Sequence, residues 1–300
     1  MDRVRQTVHA QEAYRKGILG QGITVAVLDT GLAPHPDFGG RIAGFRDFLH
    51  RKNQCYDDSS HGTHVCGILG GDGKLSGGRY AGIAPACRLL PVKVLDERGN
   101  GMREDVEKGI AWVIQNKEKY DIRIMNISVG TVKEDEDLDQ TMLDAVERAW
   151  DSGIVVVVAG GNMGPAPMSI TVPGNSRKVI TVGASDDCSL PGGKSDVRPC
   201  YSGRGPTREC VCKPDICAPG SGIIACSGKP IRGKLLYQVK SGTSMATPVV
   251  SGAIALLLAA RPELTNVEVK MRLKETAEDI GLDRNQQGWG RLHIGRLLAF

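Results

Sequence analysis

The chain has 300 residues, 41% hydrophobic and 24% charged, with 38 basic and 34 acidic side chains that leave a formal charge of +4. That length suits one large domain with a sizeable core, and the composition excludes a disordered or fibrous chain. Both signs of charge are mixed along the sequence, so neither a nucleic-acid nor a membrane partner is implied, and no run reads as long enough to span a bilayer.

The N-terminal stretch MDRVRQTVHAQEAYRKG carries no apolar core of the kind a signal peptide needs. The nine cysteines are Cys55, Cys66, Cys87, Cys188, Cys200, Cys210, Cys212, Cys217 and Cys226. Without an export signal they are expected to be reduced thiols of a cytoplasmic protein.

In chain order, ITVAVLD (23–29) is a β-branched strand that ends in an acid. HGTHVCGILGG (61–71) reads as a short helix, and RLLPVKVL (88–95) as a strand. The segment 104–119 places Val106, Ile110, Val113 and Ile114 on one helical face. IRIMNIS (122–128) is a strand, and 138–150 is a helix with Leu138, Met142, Leu143, Val146 and Trp150 in period. The acidic stretch KEDEDLD (133–139) reads as a solvated loop running into that helix. IVVVVAG (154–160) and KVITVGA (178–184) are buried strands. Beyond 185 the chain is rich in Gly, Pro and Cys until a long apolar helix opens at SGTSMATP, with Pro248 expected in its first turn. A capping box, Thr265-x-x-Glu268, opens a last helix over 266–278.

This alternation predicts an α/β fold: a three-layer sandwich with a mostly parallel central sheet and helices on both faces. With no internal repeat or linker, one domain over 1–300 is the simplest organisation. Ligands in such sheets sit outside the carboxyl ends of the strands. Asp29 ends one strand, Asn162 follows another, and His61 and Ser244 each open a helix.

Asp29, His61 and Ser244 can form an acid–base–nucleophile set. A serine hydroxyl is a weak nucleophile unless a base takes its proton. Histidine, with an ordinary pKa of ~6.5, is that base, and a carboxylate fixes its tautomer. Taken alone, each residue has a plainer reading: Ser244 as a helix cap, Asp29 and Asn162 as turn residues. His64, three residues after His61, is either structural or half of a metal pair, but no His-Glu-x-x-His motif is present. His35 also reads as structural. CVCKPDIC (210–217) has three clustered cysteines without a paired zinc-knuckle spacing. Cys66 and Cys217 interrupt apolar blocks and read as small hydrophobes.

VAVLDTGL, SSHGTHVCGIL and SGTSMATPVVSG resemble the three signature blocks of the subtilisin-like serine proteases, in the Asp, His, Ser order of that family. NISVG (126–130), VVVVAGGNMGP (155–165), SGRGPT (202–207) and KPDICAPG (213–220) resemble further blocks, so the likeness runs from about Gly22 to the last helix. SGRGPT, GASDD and the missing leader resemble the intracellular bacterial members most. The resemblance implies a serine endopeptidase acting on protein or peptide substrates. Asp29 is then the acid, His61 the base, Ser244 the nucleophile, and Asn162 the oxyanion donor beside the Ser244 N–H. Substrate is expected to lie extended against 99–102 and 128–130, with Gly99, Asn100, Gly101, Ser128, Val129, Gly130 and Gly161 as binding residues. Met163 would border the pocket for the residue preceding the cut, and Arg103 and Val106 a pocket further upstream.

Two other hydrolase readings keep the same triad: a dedicated peptide-maturation enzyme and an esterase-like enzyme. A binding module with an idle triad is the reading from another class. Family members often bind calcium. Asp37 matches a position that supplies a ligand in some, whereas GGDGKLSGGRY (70–80) does not match their calcium loop, so calcium stays open and no metal ligand is assigned. Only 28 residues precede Asp29, too few for the folding-assisting propeptide domain usual in the family.

Overall fold

The computed structural model describes residues 1–130, 136–188, 200–230, 233 and 236–299, with side chains omitted for 136–138. Its centre is a seven-stranded parallel sheet. The strands are β1 (Thr24–Asp29), β2 (Arg46–Asp47), β3 (Arg88–Lys93), β4 (Ile122–Ile127), β5 (Val155–Ala159), β6 (Ile180–Ala184) and β7 (Ile216–Ala218), in the order β2-β3-β1-β4-β5-β6-β7. β5 is Val-Val-Val-Val-Ala with every residue buried, as a strand covered on both faces requires. A separate antiparallel pair joins β8 (Ile223–Cys226) to β9 (Tyr237–Lys240).

The helices are α1 (Asp2–Thr7), α2 (Gln11–Arg15), α3 (His61–Gly70), α4 (Arg103–Gln115), α5 (Lys117–Tyr120), α6 (Glu136–Asp151), α7 (Thr243–Ala260), α8 (Asn266–Thr276), α9 (Arg284–Gln287) and α10 (Ile294–Leu297). α3 packs on α7 against the sheet, and α4 packs on α6, giving helical layers around the strands. α7 is apolar all round because it is interior: 83% of its length is buried. Contrary to expectation, its 18 residues are long and apolar enough to match a bilayer span by length and composition.

The single helix expected over 104–119 breaks at Asn116. The backbone N–H and side-chain Nδ2 of that residue both donate to the Trp112 carbonyl, at 3.0 and 2.9 Å, which closes α4 before α5 begins. The loop expected over 133–139 lies partly outside the described residues, and α6 already begins at Glu136. Pro248 sits in the second turn of α7, not the first.

Candidate active site

Asp29 closes β1, Ser128 follows β4 and Asn162 follows β5, so three adjacent strands deliver their carboxyl ends to one edge. There Asp29 Oδ1 accepts the Thr30 N–H at 2.7 Å and the His61 ring, through Nδ1, at 2.8 Å. The Asp29 carboxylate is buried while a quarter of the His61 side chain, 25%, is exposed. This is the geometry of a base held in one tautomer with its other nitrogen free for chemistry. Burial alone pulls the imidazole down. The Asp29 charge and hydrogen bond outweigh it, so His61 titrates above the usual histidine value.

Ser244 lies in the first turn of α7, whose N-cap is Gly242. Its Oγ donates to the Ser128 carbonyl at 2.9 Å, and the Ser128 hydroxyl returns a bond to the Ser244 carbonyl at 3.2 Å. That second bond has a cause in the sequence. Pro248, four residues on, has no N–H, so the Ser244 carbonyl loses its helical partner and is satisfied from β4's side instead. The support continues inward: Asn126 Nδ2 donates to Ser128 Oγ at 2.9 Å, and Ser251 Oγ to Asn126 Oδ1 at 2.9 Å.

Asn162 Oδ1 accepts the Thr243 N–H at 2.9 Å and the Thr243 hydroxyl at 3.1 Å, which orients the amide and leaves Nδ2 as its outward donor. Gly242 has φ +147°, and a Cβ built there would stand 3.4 Å from Asn162 Nδ2 and 3.8 Å from the Ser244 nitrogen. Both donors therefore border one small volume that only glycine leaves open.

Asp57, which sequence reasoning passed over, ties these parts together. Its buried carboxylate accepts from the hydroxyls of Thr30 and Thr63 and from the N–H groups of Ser59, Ser60 and Thr63, at 2.6–3.0 Å. Thr30 Oγ1 in turn accepts the Gly62 N–H at 2.9 Å. One carboxylate thus latches the residue after Asp29 to the turn that carries His61. An acid just ahead of a helix start was the available signal. Beneath it, buried Lys93 donates to the carbonyls of Thr30 and Leu95 and to Asp58, each at 2.7 Å.

Other expected residues fall elsewhere. Gly99, Asn100 and Gly101 form an exposed turn after β3, closed by Asp96 Oδ1 on the N–H groups of Arg98 and Asn100. Val129 and Gly130 continue from Ser128, and Gly161 precedes Asn162 with φ +89°. Met163 is half-exposed. Arg103 pairs with Asp139 of α6 at 3.0 Å, and Val106 is buried. His64 is buried with Nε2 between the carbonyls of Ile223 and Gln238, and burial followed by the Lys240 charge lowers it to about 3.

Calcium does not fit at Asp37. Its Oδ1 accepts the Leu75 N–H, and its Oδ2 accepts the Tyr237 hydroxyl at 2.7 Å and the Cys226 thiol at 3.6 Å. The third neighbour is His35, and calcium wants about six to eight oxygens rather than a ring nitrogen and a sulfur.

The expectation of nine reduced thiols is corrected at one pair. Cys188 and Cys200 form a disulfide with Cα atoms 4.4 Å apart, because the Cys200 N–H bonds to the Asp187 carbonyl and brings the two residues side by side. The remaining seven are free: Cys66, Cys87, Cys217 and Cys226 are buried, Cys55 is half-buried, and Cys210 and Cys212 are exposed. The thiols of Cys212 and Cys217 bond separate carbonyls, of Arg284 and Gly290.

The model of the subtilase family, peptidase S8, matches residues 20–290. The chain is 44% identical to the serine protease AprX of Bacillus subtilis over 290 residues, covering 91% of this chain and 66% of that protein. It is 33% identical to subtilisin Savinase of Lederbergia lenta, covering 91% of this chain and 90% of that one. Among solved structures, a cold-adapted subtilisin-like serine proteinase superposes with a TM-score of 0.72 at 31% identity, over 92% of this chain and 90% of its own. The family match and these relatives together mark the chain as a serine-type endopeptidase. The chain belongs to the subtilase family.

Proposed function

We propose that the chain hydrolyses internal peptide bonds through Asp29, His61, Ser244 and Asn162. Ser244 Oγ attacks the scissile carbonyl. Its proton, held on the Ser128 carbonyl at rest, passes to His61, whose charge Asp29 offsets. The carbonyl oxygen becomes an anion in the volume above Gly242, between Asn162 Nδ2 and the Ser244 N–H. The acyl-enzyme then forms, His61 returns the proton to the leaving amine, and water completes the cycle. Protein or peptide chains are the substrates, extended along 128–130 and the 99–102 turn as an added strand.

The observation that carries this reading is the 2.8 Å His61–Asp29 bond on the same sheet edge as the Ser244 helix start. Asn162→Ala tests the oxyanion assignment. An amide that meets only the developing anion lowers kcat when removed and leaves KM nearly unchanged. The expected loss is about 10²–10³-fold, a magnitude borrowed from subtilisin itself. If Asn162 only shaped the turn after β5, the variant would melt earlier with kcat per folded molecule intact. Profiling a mixed peptide library separates a general endopeptidase, with many cut sites, from a peptide-maturation or esterase-like enzyme.

A further inference from the structure

Where the segment after β1 meets the β8–β9 hairpin, three side chains able to ligate a metal converge, and none of them takes part in the chemistry above. They are His35, Asp37 and Cys226, all buried, with their ligand atoms within 4.8 Å of one another. Asp37 stands between the other two. Its Oδ1 lies 3.8 Å from His35 Nδ1, and its Oδ2 lies 3.6 Å from the Cys226 sulfur. Ligand atoms around a tetrahedral zinc ion stand about 3.3–3.8 Å apart, as bond lengths of about 2.0–2.3 Å dictate. The histidine presents the right nitrogen. Nε2 faces the Leu236 carbonyl at 2.9 Å, and a carbonyl only accepts, so that nitrogen carries the proton. Nδ1 keeps its lone pair and accepts the Asp37 N–H at 3.2 Å. A ring held through its other N–H by a backbone carbonyl is the usual support of a metal-ligating histidine. The carboxylate is held in the same way, by the Leu75 N–H on Oδ1 at 3.0 Å and the Tyr237 hydroxyl on Oδ2 at 2.7 Å.

The charges point the same way. A neutral imidazole, an N–H, a hydroxyl and a thiol offer the buried Asp37 carboxylate dipoles and no positive charge. A buried charge is ordinarily paired or bound to a metal. Burial first, and then the Asp37 charge, push the Cys226 thiol well above its ordinary value and keep it protonated. A divalent ion offsets a carboxylate and a thiolate together. One nitrogen, one oxygen and one sulfur suit zinc, whereas calcium and magnesium take oxygens alone.

We infer that His35 Nδ1, the Asp37 carboxylate and Cys226 Sγ form a structural site for zinc or a similar divalent transition-metal ion, with the Tyr237 hydroxyl as the nearest further oxygen. On loading, the ion takes the place of the thiol proton, so one metal–sulfur bond forms, one S–H bond breaks, one proton leaves and no electron is transferred. The bound ion ties the segment after β1 to the end of β8. It also steadies α3, because Cys226 packs closely on that helix: a Cβ on Gly67 would stand 2.9 Å from the Cys226 Cβ and 3.0 Å from its sulfur. α3 carries His61, so the ion braces the helix of the base without touching substrate. The way in is short. Leu75 and Leu236, whose backbone groups close the site, are themselves 46% and 38% exposed.

The test uses the full chain, stripped with a chelator and then titrated with zinc, or with cobalt(II) as the coloured probe. One cobalt ion per chain should bring up a thiolate-to-metal band in the near ultraviolet and the intense visible bands of a tetrahedral ion, and zinc should abolish both. One proton should be released per ion bound. Zinc at about a hundredfold over its Kd should raise Tm by about 5 °C or more. Cys226→Ser and His35→Gln should lose the thiolate band and the Tm shift. A double variant at the two exposed thiols, Cys210→Ala with Cys212→Ala, should keep both, and a cooperative melt reports that each variant is folded. A wild-type chain without the thiolate band overturns the inference whatever the variants do. A band that survives in folded Cys226→Ser overturns it as well, because the sulfur ligand is then another cysteine. Zinc that slows peptide hydrolysis with neither a thiolate band nor a rise in Tm is binding at His61 alone, and that too overturns it.

Discussion

Asp57→Asn is a demanding perturbation because it changes one atom in a position without slack. In the native structure Oδ1 serves Thr30, Ser59 and Ser60, while Oδ2 serves the N–H and hydroxyl of Thr63 at 2.8 and 2.6 Å. An amide keeps one acceptor and turns an NH2 toward the other set. Its best placement sacrifices the Thr63 pair. Each lost hydrogen bond to a buried charged group is worth about 1.5–3 kcal/mol, so the variant should be less stable by roughly 3–5 kcal/mol. In a chain of this size that is a fall of roughly 5–10 °C in Tm. Catalysis should fall too, because Thr30 and Gly62 adjoin Asp29 and His61. A misplacement approaching 1 Å costs up to about 10²-fold in kcat, with KM little changed. The stability difference should also depend on pH in a defined sense. Burial raises the Asp57 pKa, but the hydrogen bonds from Thr63, Ser60 and Thr30 outweigh it and hold it below the carboxylate value. A depressed folded pKa means the contribution is complete above the unfolded value of about 3.9, and is lost as pH falls through the lower folded value. Thermal melts and steady-state kinetics on one preparation decide the matter. A variant with wild-type Tm and kcat would refute the latch. A lower Tm with kcat per folded molecule unchanged would reduce Asp57 to a stabilising role.

The remaining expectations are simpler. Because His61 titrates above the ordinary histidine value, kcat/KM should fall on the acid side with a midpoint above pH ~6.5, since an imidazolium cannot act as base. A profile flat between pH 5 and 8 would count against His61. Reduction of the Cys188–Cys200 bond, which spans a sequence separation of 12, should lower Tm by an amount consistent with up to about 3 kcal/mol of loop closure. An unchanged melt in excess dithiol would show that this bond contributes nothing.

Much of the site could be read from short blocks because its residues stand where secondary structure begins or ends. Asp29 is marked by the β-branched run before it, and His61 and Ser244 by the helices they open. The parallel sheet followed from buried runs such as 154–160, which no half-exposed strand would tolerate. What stayed hidden depends on contacts between distant segments. Nothing local tells Asp57 that Thr30 and Thr63 will both point at it. Pro248 looked harmless in a first turn; in the second it frees the Ser244 carbonyl for Ser128. Nor does the local sequence disclose that Arg103 pairs with Asp139 of α6. α1 and α2 are too short for a periodic signal, and β7 is three residues inside a Gly-, Pro- and Cys-rich stretch. The Cys188–Cys200 pairing needed the turn that the Asp187 carbonyl sets, which cysteine spacing alone does not disclose.

The central claim is that Ser244 is the nucleophile of an endopeptidase. It is tested most directly by treating the full chain with a fluorophosphonate and mapping the adduct by peptide mass spectrometry, while casein hydrolysis is followed in the same tube. The account predicts one adduct, on Ser244, with hydrolysis lost in proportion to labelling and no adduct on the Ser244→Ala chain. Hydrolysis that persists on fully labelled protein, or an adduct on another residue that tracks the loss of activity, would contradict it.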